Sequence, residues 1–432
     1  MHLFRTIKNR LNWYRMFFLH MRGARAIEKW QVSYARKIVR HAVRSIPVYA
    51  ELYAAHGVRP DEIIRMGDFE RLPIIMKDFF RGKAVEEYTD TSRLLRMVWK
   101  NTSGSSGEPF SVLAGTATFN PNFSNFTRYR FLYWDSHDMN VFKTFKTVRI
   151  DVKFPKFDNL LFINLSDFRR NPKKALREMA DFQPDIITTF PSILLEMVSI
   201  IKSDKTAAAL VSKYVVPFGE MLGPLARRTI AEAFSAEVYD YYGLIELCGS
   251  AAIECKYHDG MHVNSESVIV EVVDERGFPQ KEKRRGRIIV TDLMNYNMPF
   301  IRYETGDQGV LTREKCACGL ETPRIWVEGR YSAFLSFDGR KIHHLEFDGA
   351  LDGFMDIVLQ YQVVKHAEDR LAVRIIPGPY FKESDRDRIR ESVRTITGQH
   401  IVIDVEIVAH ITQTPRGKSK IVADESLDFQ KK

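Results

Sequence analysis

From residue 110 to about 245 the chain alternates between two hydrophobic periods, and this limits its fold more than any other feature. Helix-like stretches contain Phe126–Trp134, Pro172–Phe182, Ser192–Lys202 and Pro224–Phe234, and strand-like runs are Thr147–Val152, Asp185–Thr189, Lys213–Pro217 and Glu237–Tyr241. Strands separated by helices pair in parallel, so a mainly parallel sheet with helices on its faces is expected. Ligands of such sheets bind beyond the carboxyl ends of the strands. Gly219-Glu220 follows one strand-like run, and Tyr242-Gly243-Leu244-Ile245-Glu246 follows another.

The pattern changes after residue 266. Val268–Val273 and Arg287–Thr291 are strand-like around the charged turn Glu275–Arg285, and Arg302-Tyr303-Glu304-Thr305-Gly306-Asp307 closes the layer. This reads as an antiparallel hairpin. A boundary near Gly329-Arg330 separates a large domain, 1–330, from a small α+β domain, 331–432. The small domain has strands around Val358–Val364 and Leu371–Ile376, a helix over Asp385–Ile396 and a strand over Ile401–Val408. The fold class is therefore α/β: mixed sheets flanked by helices in the large domain, and a small α+β domain after it. With 432 residues, the chain is long enough for both domains and a large core.

Residues 1–60 form an N-terminal helical region. Phe4, Ile7, Leu11, Tyr14 and Phe18 fall on one helical face, with Arg5, Lys8, Asn12 and Arg15 mostly elsewhere. Such a helix either lies on an anionic membrane surface or docks on its own domain. A second helical stretch runs through Ile27, Trp30, Tyr34 and Ile38 and breaks at Pro47. Leu72-Pro73-Ile74-Ile75-Met76-Lys77-Asp78 carries no chemical signature of its own.

The net charge of +9 suits anionic partners such as nucleotides or CoA. Lys and Arg are spread along the chain, which argues against a nucleic-acid footprint. No apolar run approaches the ~18 residues of a membrane span. Arg5, Lys8 and Arg10 interrupt the first apolar stretch, so no signal peptide is read. Cys248, Cys255, Cys316 and Cys318 are too sparse for a disulfide scaffold. A cytoplasmic protein is expected, at the inner face of the membrane if its first helix lies on lipid.

Asn101-Thr102-Ser103-Gly104-Ser105-Ser106-Gly107-Glu108-Pro109-Phe110 lies between two strand-like runs. A loop of this composition can turn backbone N–H groups and hydroxyls toward phosphate oxygens. It is equally a composition for a plain hairpin turn.

Thr102 to Pro109 resembles the phosphate loop of adenylate-forming enzymes, Thr-Ser-Gly-(Ser/Thr)-Thr-Gly-x-Pro. The resemblance is to the phenylacetate–CoA ligase family, especially its capsular-polysaccharide-biosynthesis branch. It implies ATP and Mg²⁺ as cofactors, a small carboxylic acid as substrate, acyl-AMP and pyrophosphate as products of a first step, and CoA as acyl acceptor. Thr102, Ser103, Gly104, Ser105, Ser106 and Gly107 would cradle phosphates. Tyr242-Gly243-Leu244-Ile245-Glu246 resembles the family's Tyr-Gly-x-Thr-Glu, which implies Tyr242 at the adenine and Glu246 on the metal. Arg302–Asp307 resembles Tyr-Arg-Thr-Gly-Asp, with Asp307 on the ribose. Gly329-Arg330 matches the Gly-Arg before the hinge, with Arg330 near ribose and phosphate. Thr414-Pro415-Arg416-Gly417-Lys418 resembles the terminal lysine loop, which would bring Lys418 to the carboxylate and α-phosphate. By motif position alone, Glu220 falls near the nucleotide or acyl site.

Three positions depart from the family pattern. Ile245 stands where Thr or Ser is usual, Ala333 where a hinge Asp is usual, and Arg416 where Ser or Thr often precedes Gly-Lys. Ala333 bears on the CoA half-reaction. It keeps open transfer of the acyl group, or of AMP, to a sugar or amine in surface polysaccharide biosynthesis. A degenerate nucleotide-binding scaffold is a further alternative, toward which Ile245 points. Phe131, Tyr133, Trp134, Phe190 and Phe218 are aromatic candidates for an acyl pocket, and are as readily core residues.

Cys316-Ala317-Cys318-Gly319 and Cys255, with His258 or His262, offer three thiols and one imidazole for a tetrahedral structural Zn²⁺ site. Family members with this arrangement carry the histidine in a Gly-x-His context. That favours His262, in Gly260-Met261-His262, over His258.

Overall fold

The computed structural model describes residues 18–90, 92, 97–101, 111–115, 145–152, 159–203, 210–247, 249–330, 333–412 and 421–426. The chain divides into two compact units, Met1–Lys143 with Tyr241–Tyr331, and Thr144–Asp240 with Ser332–Lys432. Most of the expected membrane-facing stretch, Phe4 to Tyr14, lies outside the described residues; Phe18 is exposed. Among the described residues no helix is long and apolar enough to cross a membrane.

Helix Ala24–Ser45 buries Ile27, Val32, Ala35, Ile38, Val39 and Ala42 along one face. It ends at Ile46, which is extended because it precedes a proline, and Pro47 opens the next helix, Pro47–Ala55. Strands β1 (Met97–Asn101) and β2 (Ser111–Gly115) pair antiparallel. Residues 102–110, the segment between them, lie outside the described residues.

The sheet expected from the alternating pattern is present. It contains β3 (Thr147–Asp151), β4 (Leu160–Asn164), β5 (Ile186–Thr188), β6 (Tyr214–Val215) and β7 (Glu237–Val238), all parallel, in the order β4-β3-β5-β6-β7. Helices Pro172–Phe182 and Pro224–Phe234 have the bounds read from sequence, each with proline in its first turn. Helix Pro191–Ser203 follows β5. Ile150, Ile187, Val215, Leu194 and Ile230 form part of the shared core. Strand β4 was not expected, and Phe126–Trp134 lies outside the described residues.

The run Glu237–Tyr241 divides. β7 ends at Val238, and Tyr241 starts β8 (Tyr241–Leu244), which pairs antiparallel with β9 (Gly249–Glu254). The hairpin layer is correspondingly larger than its two legible strands. With β10 (Met261–Val263), β11 (Val268–Val273), β12 (Arg285–Asp292), β13 (Tyr303–Thr312) and β14 (Arg324–Arg330) it forms a seven-stranded sheet in the order β11-β12-β13-β14-β10-β9-β8. The turn-like Thr-Gly-Asp composition of 305–307 hid β13, whose interior positions are held by ladder bonds on both sides.

The segment after β12 anchors the β1–β2 hairpin. The Leu113 amide donates to Met298 Sδ (3.3 Å), and Asn295 Nδ2 donates to the Leu113 carbonyl (3.3 Å). Asn295 is itself placed by Asp292, whose Oδ1 accepts from the amides of Met294 (2.7 Å) and Asn295 (3.1 Å). Burial pushes the Asp292 carboxyl up to about 7, against the pull of those two amides. The folded state therefore binds a proton that the unfolded chain releases near pH 4. The Asp292 contribution to stability is present below that pH and falls as pH rises toward 7. Asp292→Asn is expected to flatten this part of the stability profile, measured by urea unfolding between pH 4 and 8.

In the C-terminal portion, β15 (Phe334–Phe337) and β16 (Arg340–His343) form a hairpin. β17 (Val358–Ala367), β18 (Arg370–Pro377), β19 (Val402–Ile407) and β20 (Val422–Asp424) form a sheet in the order β19-β18-β17-β20. Helix Asp385–Thr397 packs Ile389 and Val393 into its core. Three strands and this helix follow the expected bounds within a few residues. Lys418 lies between β19 and β20, outside the described residues.

Candidate nucleotide site and candidate metal centre

Three strands, and so four inter-strand spacings, separate β8 from β13 in the sheet. Flat, they would stand roughly 19 Å apart at ~4.8 Å per step. Instead the Tyr242 hydroxyl donates to Asp307 Oδ2 at 2.6 Å. The sheet therefore curls until side chains from its β8 edge meet those of β13. Glu246, just after β8, benefits from the same curl: Tyr303 Oη donates to its Oε1 at 3.0 Å. Both carboxylates are buried, with Glu246 5% and Asp307 7% exposed.

Asp307 also faces Arg330, its register partner on β14. Arg330 Nε lies 3.1 Å from Asp307 Oδ1, and Arg330 Nη1 donates to the Thr305 carbonyl at 2.9 Å. The Asp307 amide donates to Thr305 Oγ1 at 3.0 Å. Gly306 has φ +78°, and a Cβ there would sit 3.1 Å from Arg330 Nη1, so a side chain would be strained and would crowd the guanidinium. Gly243 stands opposite Ser250 in the β8–β9 ladder, where a Cβ would come within 2.8 Å of the Tyr241 ring.

Burial, and then the Asp307 charge, raise the Tyr242 hydroxyl well above the ordinary tyrosine range. Burial and Glu246 do the same to Tyr303. Both phenols remain protonated and donate. Burial works against the Arg330 cation, but Asp307 and the other acidic groups around it raise it on balance. The result is an acid–base pair with two phenol donors, on rigid strands.

Two members of this group had no assigned role from sequence. Tyr303 sits inside a recognised motif, but its reach to Glu246 depends on sheet curl. Lys77 sits in the segment read as chemically silent. Ile75 donates its amide to the Arg302 carbonyl (3.0 Å) and accepts from the Glu304 amide (2.8 Å), which makes a parallel bridge to Tyr303. Arg302 clamps the start of that segment through the Leu72 carbonyl and is itself paired with buried Glu271 at 2.9 Å. Lys77 is thereby held beside the site. Burial pulls its ammonium below the ordinary lysine range, against the charge of Glu246; Arg330 and Arg81 add to the lowering, and Asp307 opposes it.

The other sequence candidates are placed differently. Glu220 lies in the second unit, where its carboxylate accepts from the amide and hydroxyl of Ser192 (2.9 and 3.0 Å) at the start of helix Pro191–Ser203. That is a capping arrangement. Phe190 and Phe218 pack against each other at 4.8 Å, with the Arg149 guanidinium over Phe218. Thr102, Ser103, Gly104, Ser105, Ser106, Gly107, Lys418, Phe131, Tyr133 and Trp134 lie outside the described residues.

Cys255, His262, Cys316 and Cys318 converge, with their ligand atoms all within 4.8 Å of one another. Cys255 Sγ to Cys316 Sγ is 3.6 Å, and Cys318 Sγ to His262 Nε2 is 3.3 Å. A tetrahedral zinc with ~2.3 Å thiolate and ~2.0 Å imidazole bonds has edges of about 3.5–3.8 Å, so the donor set fits. His262 Nδ1 bonds Thr322 Oγ1 at 2.8 Å, which turns Nε2 to the sulfurs. His258 is directed elsewhere and bonds Glu254 at 3.0 Å. Contact with Cys318 draws the Cys255 thiol down to about 4, while Cys318 is raised in exchange.

A family model described as the CapK C-terminal domain matches residues 334–425. Phenylacetate–coenzyme A ligase of Thermus thermophilus is 27% identical over 222 residues, 49% of this chain and 50% of that protein, so the match spans about half of that relative. The ligase of the same name from Escherichia coli K12 is 23% identical over 81% of this chain and 82% of its own length. That of Aromatoleum evansii is 24% identical over 89% and 91%. Among solved structures, 2-hydroxyisobutyryl-CoA ligase in the postadenylation state with 2-HIB-AMP has a TM-score of 0.74 at 20% identity, covering 94% of this chain and 90% of that one. Anthranilate CoA ligase AuaEII with anthranoyl-AMP has a TM-score of 0.52 at 14% identity, covering 85% and 74%. At these identities the structural likeness is one of fold: the adenylate-forming fold with its small C-terminal domain.

Proposed function

We propose that this relative of the phenylacetate–CoA ligases is an ATP-dependent, AMP-forming acid–thiol ligase. It activates a carboxylic acid as acyl-AMP, releases pyrophosphate and passes the acyl group to CoA. The observation that carries this reading is the Tyr242–Asp307–Arg330 group, with Tyr303 of the same strand as Asp307 holding Glu246. It offers a buried carboxylate for ribose hydroxyls, a cation beside it and a second buried carboxylate.

In this reading Asp307 accepts from the ribose hydroxyls, held in place by Tyr242 and Arg330. Tyr242 borders the adenine and Gly243 leaves room beside it. Glu246, oriented by Tyr303, would hold Mg²⁺, which when bound neutralises phosphate charge. Residues 102–107, by their resemblance to the phosphate loop, would offer amides and hydroxyls to the phosphates. The small domain, residues 331–432, brings Lys418 to the carboxylate and α-phosphate. Glu220 would fall near the nucleotide or acyl site by motif position alone. The match of the CapK C-terminal domain to 334–425 supports treating this end as a separate lid.

A second reading is transfer of the acyl group or AMP to a sugar or amine. It is favoured by Ala333 at the hinge, whose carbonyl accepts from the His344 amide at 2.8 Å. Product analysis separates the two: acyl-CoA formation from ATP, acid and CoA supports the first, and acid-dependent AMP release without thioester supports the second.

Cys255, His262, Cys316 and Cys318 would hold a structural Zn²⁺ that ties β9, β10 and the 316–318 turn together without entering the reaction. Purified protein is expected to contain one zinc per chain by elemental analysis, lost in Cys316→Ser together with several degrees of melting temperature. Equal metal content in the two proteins would contradict this.

A further inference from the structure

The stripe Phe4, Ile7, Leu11, Tyr14, Phe18 continues at the same spacing to Met21. A stripe that docks on its own domain buries its members. The two members among the described residues do the opposite: Phe18 is 58% and Met21 71% exposed. Between them Leu19 and His20 are buried. This helical turn therefore has an inner and an outer side, and the stripe lies on the outer one.

The inner side is fastened. His20 Nε2 lies 2.8 Å from Glu266 Oε2, with both side chains buried. Trp30 Nε1 donates to the Glu266 carbonyl at 3.0 Å. The Ala24 amide, at the start of helix Ala24–Ser45, donates to Glu321 Oε2 at 2.9 Å. The unit that contains Glu266 and Glu321 thus sets the direction in which Phe18 and Met21 point.

The charge around the stripe has one sign. Arg22 and Arg25 follow Met21 and are exposed. Residues 1–27 hold Arg5, Lys8, Arg10, Arg15, Arg22 and Arg25, with no Asp or Glu among them. Exposed apolar side chains set among cations match a bilayer interface, where the apolar groups enter the headgroup region and the cations meet anionic lipid. A nucleic acid or other soluble polyanion would engage the cations and leave Phe18 and Met21 in water.

We propose that Phe18, Met21, Arg22 and Arg25, with the basic stretch before them, bind the surface of an anionic lipid bilayer. This surface is separate from the nucleotide site and does not depend on the reaction assigned to it.

The test is flotation of the full chain with phosphatidylcholine vesicles, with and without phosphatidylglycerol. Wild type is compared with two double variants, Phe18→Ser with Met21→Ser, and Arg22→Gln with Arg25→Gln. All four side chains are exposed, so both variants are expected to fold, with unchanged melting temperature as the check. Wild type is expected to float with the anionic vesicles and not with the neutral ones. Each double variant is expected to lose about tenfold or more in partition coefficient. Absence of wild-type flotation with anionic vesicles overturns the proposal, and that result needs no variant. Undiminished flotation of the folded serine variant also overturns it. Loss that follows the arginines alone assigns the patch to a soluble polyanion instead. A wild-type dimer that the serine variant cannot form, without flotation, assigns it to a second copy of the chain.

Discussion

Asp307→Ala is expected to lower ATP affinity by roughly a hundredfold or more, because three partners lose the same group at once. The ribose loses an acceptor. Tyr242 Oη loses its 2.6 Å acceptor in a buried position. Arg330 keeps its bond to the Thr305 carbonyl but loses its counter-charge. A buried donor left without a partner costs about 1–3 kcal/mol, and an uncompensated charge more. Asp307→Asn should be milder, since an amide oxygen can still accept from Tyr242. Equilibrium binding of Mg·ATP measures both variants. Equal affinity in wild type and Asp307→Ala would remove Asp307 from the nucleotide site.

Lys418→Ala is expected to lower adenylation by ~10²–10³-fold while leaving AMP binding nearly intact. As the carboxylate attacks it gives up negative charge to the new bond, and charge builds on the α-phosphate oxygens and the leaving pyrophosphate. A cation present there in the transition state lowers the barrier without tightening the ground state. The loss should therefore appear in kcat of pyrophosphate exchange and little in KM for ATP. A pure KM effect would mean that Lys418 only helps nucleotide binding.

The legibility of the sequence varied with the range of the interactions involved. Pro172–Phe182 and Pro224–Phe234 could be read because proline marks their starts and apolar spacing marks their faces, both local properties. The parallel sheet followed from strand–helix order. Strand β8 did not, because the break between Val238 and Tyr241 depends on a ladder with β9 that no local period announces. The recognised motifs marked Tyr242, Glu246, Asp307 and Arg330, but not how they meet. That depends on curl across four strand spacings, which is set by packing of the whole seven-stranded sheet. Tyr303 was missed for the same reason: it reaches Glu246, which is distant in sequence. The cysteines offered two histidines, of which the Gly-x-His context favoured His262; in the fold His262 turns to the sulfurs and His258 to Glu254.

In the proposed function these strands assemble one nucleotide site for acid activation. Exchange of labelled pyrophosphate into ATP by the wild-type chain, across a panel of carboxylic acids, measures that most directly. The expected result is exchange that requires one class of acid and Mg²⁺. Exchange absent with every acid while ATP still binds, or exchange unaffected by omitting the acid, would contradict it.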